Sequence, residues 1–333
     1  LRYNIIKSNP WPKGNPVIDI SLTTEQGIDR DTALSLSQVR GDELFELFLI
    51  ANRLRSRHRG KRVDLCSIVN AKSGACPEDC AFCAQSIHSK TDVKVYPLIE
   101  RDRIIEAARS ARDNGARRFC IVTSGKRPSE RDLQRICDYI SELKRLGLLP
   151  CATLGIITTP ELKMLKDAGL ERYHHNLETS EAFFREICTT HTYRQKLETI
   201  ASARSLGLSI CSGGIFGMGE SWEDRIDLAF ALRDIGVDSV PINFFTPIAG
   251  TPLAEKRGLL EPLEALKIIA IYRLIMPERE IRICGGRPVT LRDLNSYIFM
   301  AGADGLLIGN YLTTPGREPS EDIRMIQDMG LEI

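Results

Sequence analysis

The 333-residue chain is 43% hydrophobic, enough for a large core, and its 45 Lys and Arg nearly balance 44 Asp and Glu. A net charge of +1 gives no electrostatic case for nucleic acid or an anionic membrane surface, and no apolar run approaches the roughly 18–20 residues of a membrane span. Ten cysteines behind no charged-then-apolar leader point to a reducing, cytoplasmic setting, with the thiols as metal ligands or catalytic groups rather than disulfides.

Residues 22–60 read as helices ahead of the main domain. ELFELFLIANRL (43–54) is apolar at helical spacing, and the basic run RSRHRGKR (55–62) reads as its solvated end. From there short β-rich runs alternate with amphipathic helical stretches. The runs are DLCSIVNA (64–71), RFCIVTS (118–124), LPCATLG (149–155), RYHHNLE (172–178), SICSGGIFG (209–217), SVPINFFT (239–246), EIRICGG (280–286) and GLLIG (305–309). Several intervening helices stop on a glycine, as in KRLGL, KDAGL and RSLGL. Eight strand–helix units predict an α/β fold, a parallel sheet closed as a (βα)8 TIM-type barrel over residues 61–333, with an N-terminal helical extension over residues 1–60. An open doubly wound sheet is the runner-up. No linker or low-complexity tract divides the barrel region.

CPEDCAFC (76–83) follows the first strand directly, at the barrel end where active sites sit. A disulfide uses two cysteines and a closed zinc site four ligands. Three thiols, Cys76, Cys80 and Cys83, instead fit an iron–sulfur cluster with one iron left open. The plainer alternative is a zinc knuckle with a distant fourth ligand, or buried thiols without metal. A second set, Cys120, Cys151 and Cys211, falls on the second, third and fifth strands. All three can face the barrel axis and hold one metal centre, although cysteine also serves as a small buried hydrophobe. Cys66, Cys137 and Cys188 read as packing residues. On the fourth strand His174, Asn176 and Glu178 share one polar face, expected to line a pocket. The amides of Asn176 and Asn243 need partners there. The turn GIFGMGE (214–220) lacks the lysine and spacing of a phosphate loop.

C-x3-C-x2-C after the first barrel strand resembles the radical S-adenosylmethionine enzymes. NAKSGACPEDCAFCAQS, FCIVTSG, YHHNLETS, CSGGIFGMGE, VPINFFTPIAGTPL, GGRPVTL and FMAGADGLLIGNYLTT together resemble the biotin synthase family. The resemblance implies a 4Fe–4S cluster on Cys76, Cys80 and Cys83 that cleaves S-adenosylmethionine to a 5′-deoxyadenosyl radical. An alkyl C–H has no usable pKa, so its cleavage is delegated to such a cofactor. It further implies sulfur insertion into dethiobiotin at C9 and then C6, from an auxiliary iron–sulfur cluster, 2Fe–2S in the family, on Cys120, Cys151, Cys211 and Arg282. Cys284 shares strand parity with Arg282, where relatives usually carry serine or a similar small residue, and is a candidate extra ligand. By resemblance Asn176 and Asn243 meet the ureido ring, Glu178 the ribose and Lys196 the methionine carboxylate. Phe82 stacks near adenine, the backbone of Ser124 and Gly125 approaches the methionine amino group, and Lys72 and His174 lie near the substrate. The implied partners are dethiobiotin, a flavodoxin or ferredoxin reductant, iron–sulfur assembly machinery and a second copy in a homodimer, with no nucleic acid and no membrane. Two rivals stand beside this reading. One is another radical enzyme on the same barrel, hydrogenase-maturase-like or methylornithine-synthase-like, against which the inner cysteines and Arg282 argue. The other is a non-catalytic iron–sulfur electron carrier.

Overall fold

The computed structural model describes residues 27–333, so the first part of the expected helical extension lies outside the described residues. Two helices precede the barrel. The first, Arg30–Ser37, is capped by Asp29, whose carboxylate accepts from the Thr32 amide at 2.8 Å. The second, Gly41–Arg59, buries Leu44, Leu47, Phe48, Ala51 and Leu54, the stripe its helical periodicity predicts. It packs on the helix Pro262–Ile275, which is buried from Ala265 to Ile275 because the barrel covers its other side. The basic run is a mostly solvated helix end, with Ser56, Arg57, Lys61 and Arg62 exposed, but two of its arginines turn inward. Arg55 is buried and donates from Nη1 to the Gly60 carbonyl at 2.8 Å, and Arg59 reaches the buried Asp304 at 2.6 Å. Helix-end carbonyls and a buried carboxylate need donors, and these two arginines supply them.

The strands are β1 (Asp64–Lys72), β2 (Arg118–Thr123), β3 (Leu149–Thr153), β4 (Arg172–His174), β5 (Ser209–Cys211), β6 (Gly214–Phe216), β7 (Ser239–Phe244), β8 (Glu280–Ile283) and β9 (Gly305–Leu307). They run in the order β5-β4-β3-β2-β1-β9-β8-β7-β6, and the pairing of Cys211 in β5 with Ser239 in β7 closes the ring. The expected fifth strand is therefore two short pieces that fill one barrel position, giving eight positions in a closed (βα)8 barrel. The break has a steric cause. A Cβ on Gly213 would sit 2.0 Å from the Pro241 carbonyl oxygen. Gly213→Ala should cost about 1–3 kcal/mol or more, the range for forced overpacking, read as a lower urea midpoint.

The fourth strand is also shorter than expected. It ends at His174, after which the Leu177 and Glu178 amides both donate to the Gly213 carbonyl at 3.1 Å. Glu178 adopts a left-handed φ of 75°, unusual for a residue with a Cβ. Asn176 and Glu178 therefore lie on the loop leaving β4, at the top of the barrel.

Candidate active site

A cavity of about 420 Å³ opens inside the barrel. Its walls are Cys66 and Ile68 from β1, Arg118, Cys120 and Val122 from β2, Cys151 and Thr153 from β3, and Arg172 and His174 from β4. Cys211, Pro241, Asn243, Arg282 and Leu307 complete the ring, with Cys284 just beyond β8. These are alternate residues along each strand, while the intervening Ile121, Ala152, Tyr173, Ile210, Ile242 and Ile281 join the surrounding hydrophobic core. Cys120 and Cys151 are direct register partners, as are His174 and Cys211. Cys66, expected as packing, has the inward parity and joins the same wall.

Barrel interiors are normally filled by branched aliphatics; this one holds five thiols and three guanidinium groups. Arg172 pairs with Glu280 at 3.3 Å. Arg282 donates from Nη2 to both Asp64 and Glu280, and from Nη1 to the Asp64 and Leu306 carbonyls at 3.0 and 3.2 Å. Burial opposes the charge on Arg282, but Glu280 and Asp64 outweigh it and keep the guanidinium protonated. Arg118 is different, since among the described residues its buried Nε and Nη1 meet no hydrogen-bond partner. The sequence reading missed Arg118 and Arg172, although each stands two residues from a wall residue and so shares its parity. Burial pushes the Cys66 thiol up to about 12 and Cys211 up to about 11. It also raises Cys120, whose hydrogen bond draws its partner Cys151 down. Thiols on separate strands facing one cavity beside Arg118, whose Nε and Nη1 lack a partner among the described residues, fit an anionic, thiolate-held iron–sulfur group, whose iron must displace the thiol protons that burial retains.

A hydrogen-bonded chain leads up from this wall. Cys120 Sγ lies 3.4 Å from Thr153 Oγ1, which lies 3.0 Å from His174 Nδ1. His174 Nε2 is 2.8 Å from Asn176 Oδ1, and Asn176 Nδ2 donates to Glu178 at 3.3 Å. The amides expected to await a ligand already have protein partners. Asn176 Oδ1 also accepts from the Gly213 amide at 3.1 Å. Asn243 donates to the Gly214 carbonyl at 3.1 Å and accepts from the Gly285 amide at 3.0 Å. Each amide keeps one N–H for a ligand. Lys196, buried, donates to the Asn176 carbonyl at 3.0 Å. Burial raises the Glu178 carboxyl, with Lys196 opposing.

Burial lowers His174 to about 4, and His175 is driven well below its usual value for the same reason. Both imidazoles are neutral when folded and titrate normally when unfolded. Between about pH 6.5 and 4 the unfolded chain therefore binds more protons. Stability is complete above pH 6.5 and should fall as pH drops through that window. Urea midpoints of the cluster-free chain at pH 7.5 and 5 check this, and His174→Asn should flatten the slope.

The cysteine loop is fastened at many points. The Cys76 amide donates to the Gln85 carbonyl at 3.0 Å, the Cys83 amide to the Cys80 carbonyl at 2.9 Å, and the Ile87 amide to the Cys76 carbonyl at 2.9 Å. Its three thiols are half-buried, and Phe82 turns onto the cavity wall with Gly125. Burial pushes the Cys83 thiol up to about 11. Ser124 is not on the wall; its hydroxyl donates to the Gly74 carbonyl at 2.7 Å and ties the loop to the end of β2. Lys72 is not on the wall either. It stands 3.4 Å from Asp132 on the helix Glu130–Arg145, because that carboxylate is its near counter-charge. Cys188, expected as packing, caps the helix Glu181–Ile187, and its Sγ lies 3.8 Å from Cys80 Sγ.

Two family models match the chain: the Radical SAM superfamily over residues 71–232, and the Biotin and Thiamin Synthesis associated domain over residues 241–332. The chain is 52% identical over 290 residues to the biotin synthase of Thermodesulfovibrio yellowstonii, covering 87% of this chain and 91% of that one. To the biotin synthase of Heliobacterium modesticaldum it is 51% identical over 307 residues, covering 92% and 94%. The chain belongs to the biotin synthase family.

Biotin synthases are sulfur-inserting radical S-adenosylmethionine enzymes, and the electron-carrier rival falls with that membership. The rival radical enzymes share only the barrel. Methylornithine synthase superposes with a TM-score of 0.77 at 22% identity, covering 91% of this chain and 93% of that one. The FeFe-hydrogenase maturase of Carboxydothermus hydrogenoformans also gives 0.77, at 16% identity, covering 90% and 74%. Among the described residues no helix is long and apolar enough to cross a membrane.

Proposed function

We propose that this member of the biotin synthase family converts dethiobiotin to biotin with a 4Fe–4S cluster on Cys76, Cys80 and Cys83 and an auxiliary iron–sulfur cluster on Cys120, Cys151 and Cys211. The observation that carries the division of labour is the inner wall: buried thiols on separate strands around Arg118, whose Nε and Nη1 have no hydrogen-bond partner among the described residues. When bound, the first cluster supplies the electron that cleaves S-adenosylmethionine to the hydrogen-abstracting radical, and the second supplies the sulfur for C9 and then C6.

The chain's own residues hold and orient. Arg118 offsets the charge of ligated thiolates, while Arg172 and Arg282 are already balanced by Glu280 and Asp64. Family resemblance makes Arg282 the fourth auxiliary ligand of a 2Fe–2S type. Its engagement by Asp64 and Glu280 favours Cys284 as a competing ligand, since Cys284 needs only to lose a proton, whereas Arg282 must also give up two carboxylates. Unchanged iron and sulfide content, spectra and biotin yield in Cys284→Ser would rule Cys284 out. Asn176 and Asn243 each present one amide N–H to the ureido carbonyl, with His174 fixing the Asn176 orientation. Glu178 is assigned to the cosubstrate ribose and Lys196 to the methionine carboxylate, where an ammonium gives a point charge rather than a fork. Phe82 and Gly125 border the adenosine and methionine ends. Ser124 is assigned, through its backbone, to the methionine amino group and Lys72 to the substrate side, with the Ser124 hydroxyl also tying down the loop. A flavodoxin or ferredoxin reductant, iron–sulfur assembly machinery, a homodimer and a cytoplasmic setting complete the reading.

The test is an anaerobic reaction with reductant, S-adenosylmethionine and dethiobiotin, quantifying 5′-deoxyadenosine and biotin by mass spectrometry. Both products are expected. Deoxyadenosine without biotin, from protein with both clusters intact, would overturn the substrate assignment.

A further inference from the structure

Cys188 and His191 stand outside the roles assigned above, yet both are buried against the cysteine loop. The segment carrying them is fastened there. The Asp79 carboxylate accepts from the Thr189 amide at 2.9 Å, the Thr190 amide at 3.2 Å and the Thr190 hydroxyl at 3.0 Å. The Ala81 amide donates to the Ile187 carbonyl at 2.8 Å. This docking brings two further ligand-type side chains onto Cys80.

We propose that Cys80, Cys188 and His191 form a site for a single thiophilic divalent ion, Zn²⁺ or Fe²⁺, which fills in the cluster-free chain and excludes the cluster because both need Cys80. The donor atoms of the three residues lie within 4.8 Å of one another. The two sulfurs are 3.8 Å apart. Tetrahedral zinc with Zn–S bonds of about 2.3 Å sets its sulfurs about 3.8 Å apart. His191 Nε2 lies 3.7 Å from Cys188 Sγ, close to the corresponding nitrogen–sulfur edge, with Nδ1 3.3 Å from the same sulfur. Its other nitrogen, Nδ1, is held by Glu78 Oε2 at 2.5 Å. That is the carboxylate–histidine arrangement that orients metal-binding imidazoles. Asp79 Oδ1 lies 3.3 Å from Cys188 Sγ but already accepts from the Thr189 and Thr190 amides, so a water completes the coordination. Thiolate and imidazole together suit zinc and ferrous iron rather than magnesium or calcium. Binding displaces to solvent whatever thiol protons the pair still holds and moves no electrons. The exclusion rests on Cys80 being a cluster ligand, as proposed above; the ion site itself does not.

The experiment uses the full-length, cluster-free chain, titrated anaerobically with Co²⁺ as optical probe and then competed with Zn²⁺. The wild type should develop thiolate charge-transfer bands with tetrahedral ligand-field bands. Cys188→Ser and His191→Gln should weaken this binding by at least about tenfold, and Glu78→Gln by about 10–100-fold. Cys76→Ser should leave it intact. Binding that survives Cys188→Ser, or that is lost in Cys76→Ser, places the ion on the C-x3-C-x2-C run and overturns the site. Circular dichroism identifies any misfolded variant, and Cys188→Ala provides the second removal of the same sulfur. In the second arm, Zn²⁺-loaded chain is reconstituted with iron and sulfide. Cluster formation should be slowed in the wild type and not in Cys188→Ser; equal rates in the wild type with and without zinc overturn the exclusion while leaving the ion site standing.

Discussion

Cys211→Ala should release 5′-deoxyadenosine yet form no measurable biotin, whereas Cys83→Ala should form neither. The two thiols serve different places in the proposed division. Cys83 sits on the loop after β1, half-buried at the barrel mouth, while Cys211 ends β5 inside the wall opposite His174. Removing a direct ligand should exceed the roughly 10–100-fold losses that follow when a residue behind a ligand is changed. Alanine in place of cysteine deletes one sulfur from a wall that already borders open space, so the fold is retained. The measurement is product quantification alongside iron and sulfide content per chain. Cys211→Ala should lose the auxiliary share of iron and keep the other. Equal loss of both products in both variants would mean that the inner thiols hold no separate sulfur-donating group. Arg118→Met offers a milder version. It leaves every thiol in place but removes the unpartnered cation, so auxiliary iron should load less completely while deoxyadenosine release continues.

Much of this site was legible because strand alternation is a strict rule. One parity argument placed Cys120, Cys151 and Cys211 on the axis and put Cys284 beside Arg282. The same argument reaches Arg118 from Cys120 and Arg172 from His174. They went unread because charged residues in a barrel strand ordinarily suggest an edge or an exposed end. Local pattern could not foresee the break at Gly213, whose cause is a carbonyl on β7, nearly thirty residues away. Nor could it foresee the early end of β4, because Glu178 turns left-handed to bridge Gly214. Cys188 looked like a helix-end packing residue since its chemistry lies across more than a hundred residues of chain, on Asp79 and Cys80. Lys72 shows a further limit of local pattern, since its nearest counter-charge, Asp132, lies sixty residues along the chain.

Asp304→Ala should destabilise the chain by about 3–5 kcal/mol, the usual cost of stripping one partner from a buried ion pair. Asp304 immediately precedes β9 and binds three elements at once. Its Oδ1 accepts from Arg273 Nη2 and from the Ile281 amide of β8 at 2.9 Å, and its Oδ2 accepts from Arg59 at 2.6 Å. The side chains of Arg273 and Asp304 are 0% and 1% exposed. Arg273 cannot swing to water when the carboxylate goes, because it also donates to the Gly302, Pro277 and Arg279 carbonyls at 2.8, 2.8 and 2.7 Å. The cation would stay where it is, uncompensated, and the β8 amide would lose its acceptor. Asp304→Asn separates the two contributions, since it keeps an acceptor for Ile281 and removes only the charge; it should cost less than alanine. The exposed pair Lys163–Asp167 gives the contrast, where Asp167→Ala should change stability by only about 0.3–0.5 kcal/mol. Urea unfolding of the three variants at one pH compares them directly. A loss near the surface-pair value in Asp304→Ala would mean that apolar packing of the helix Gly41–Arg59 on the barrel, rather than this buried charge cluster, fixes the N-terminal helices in place.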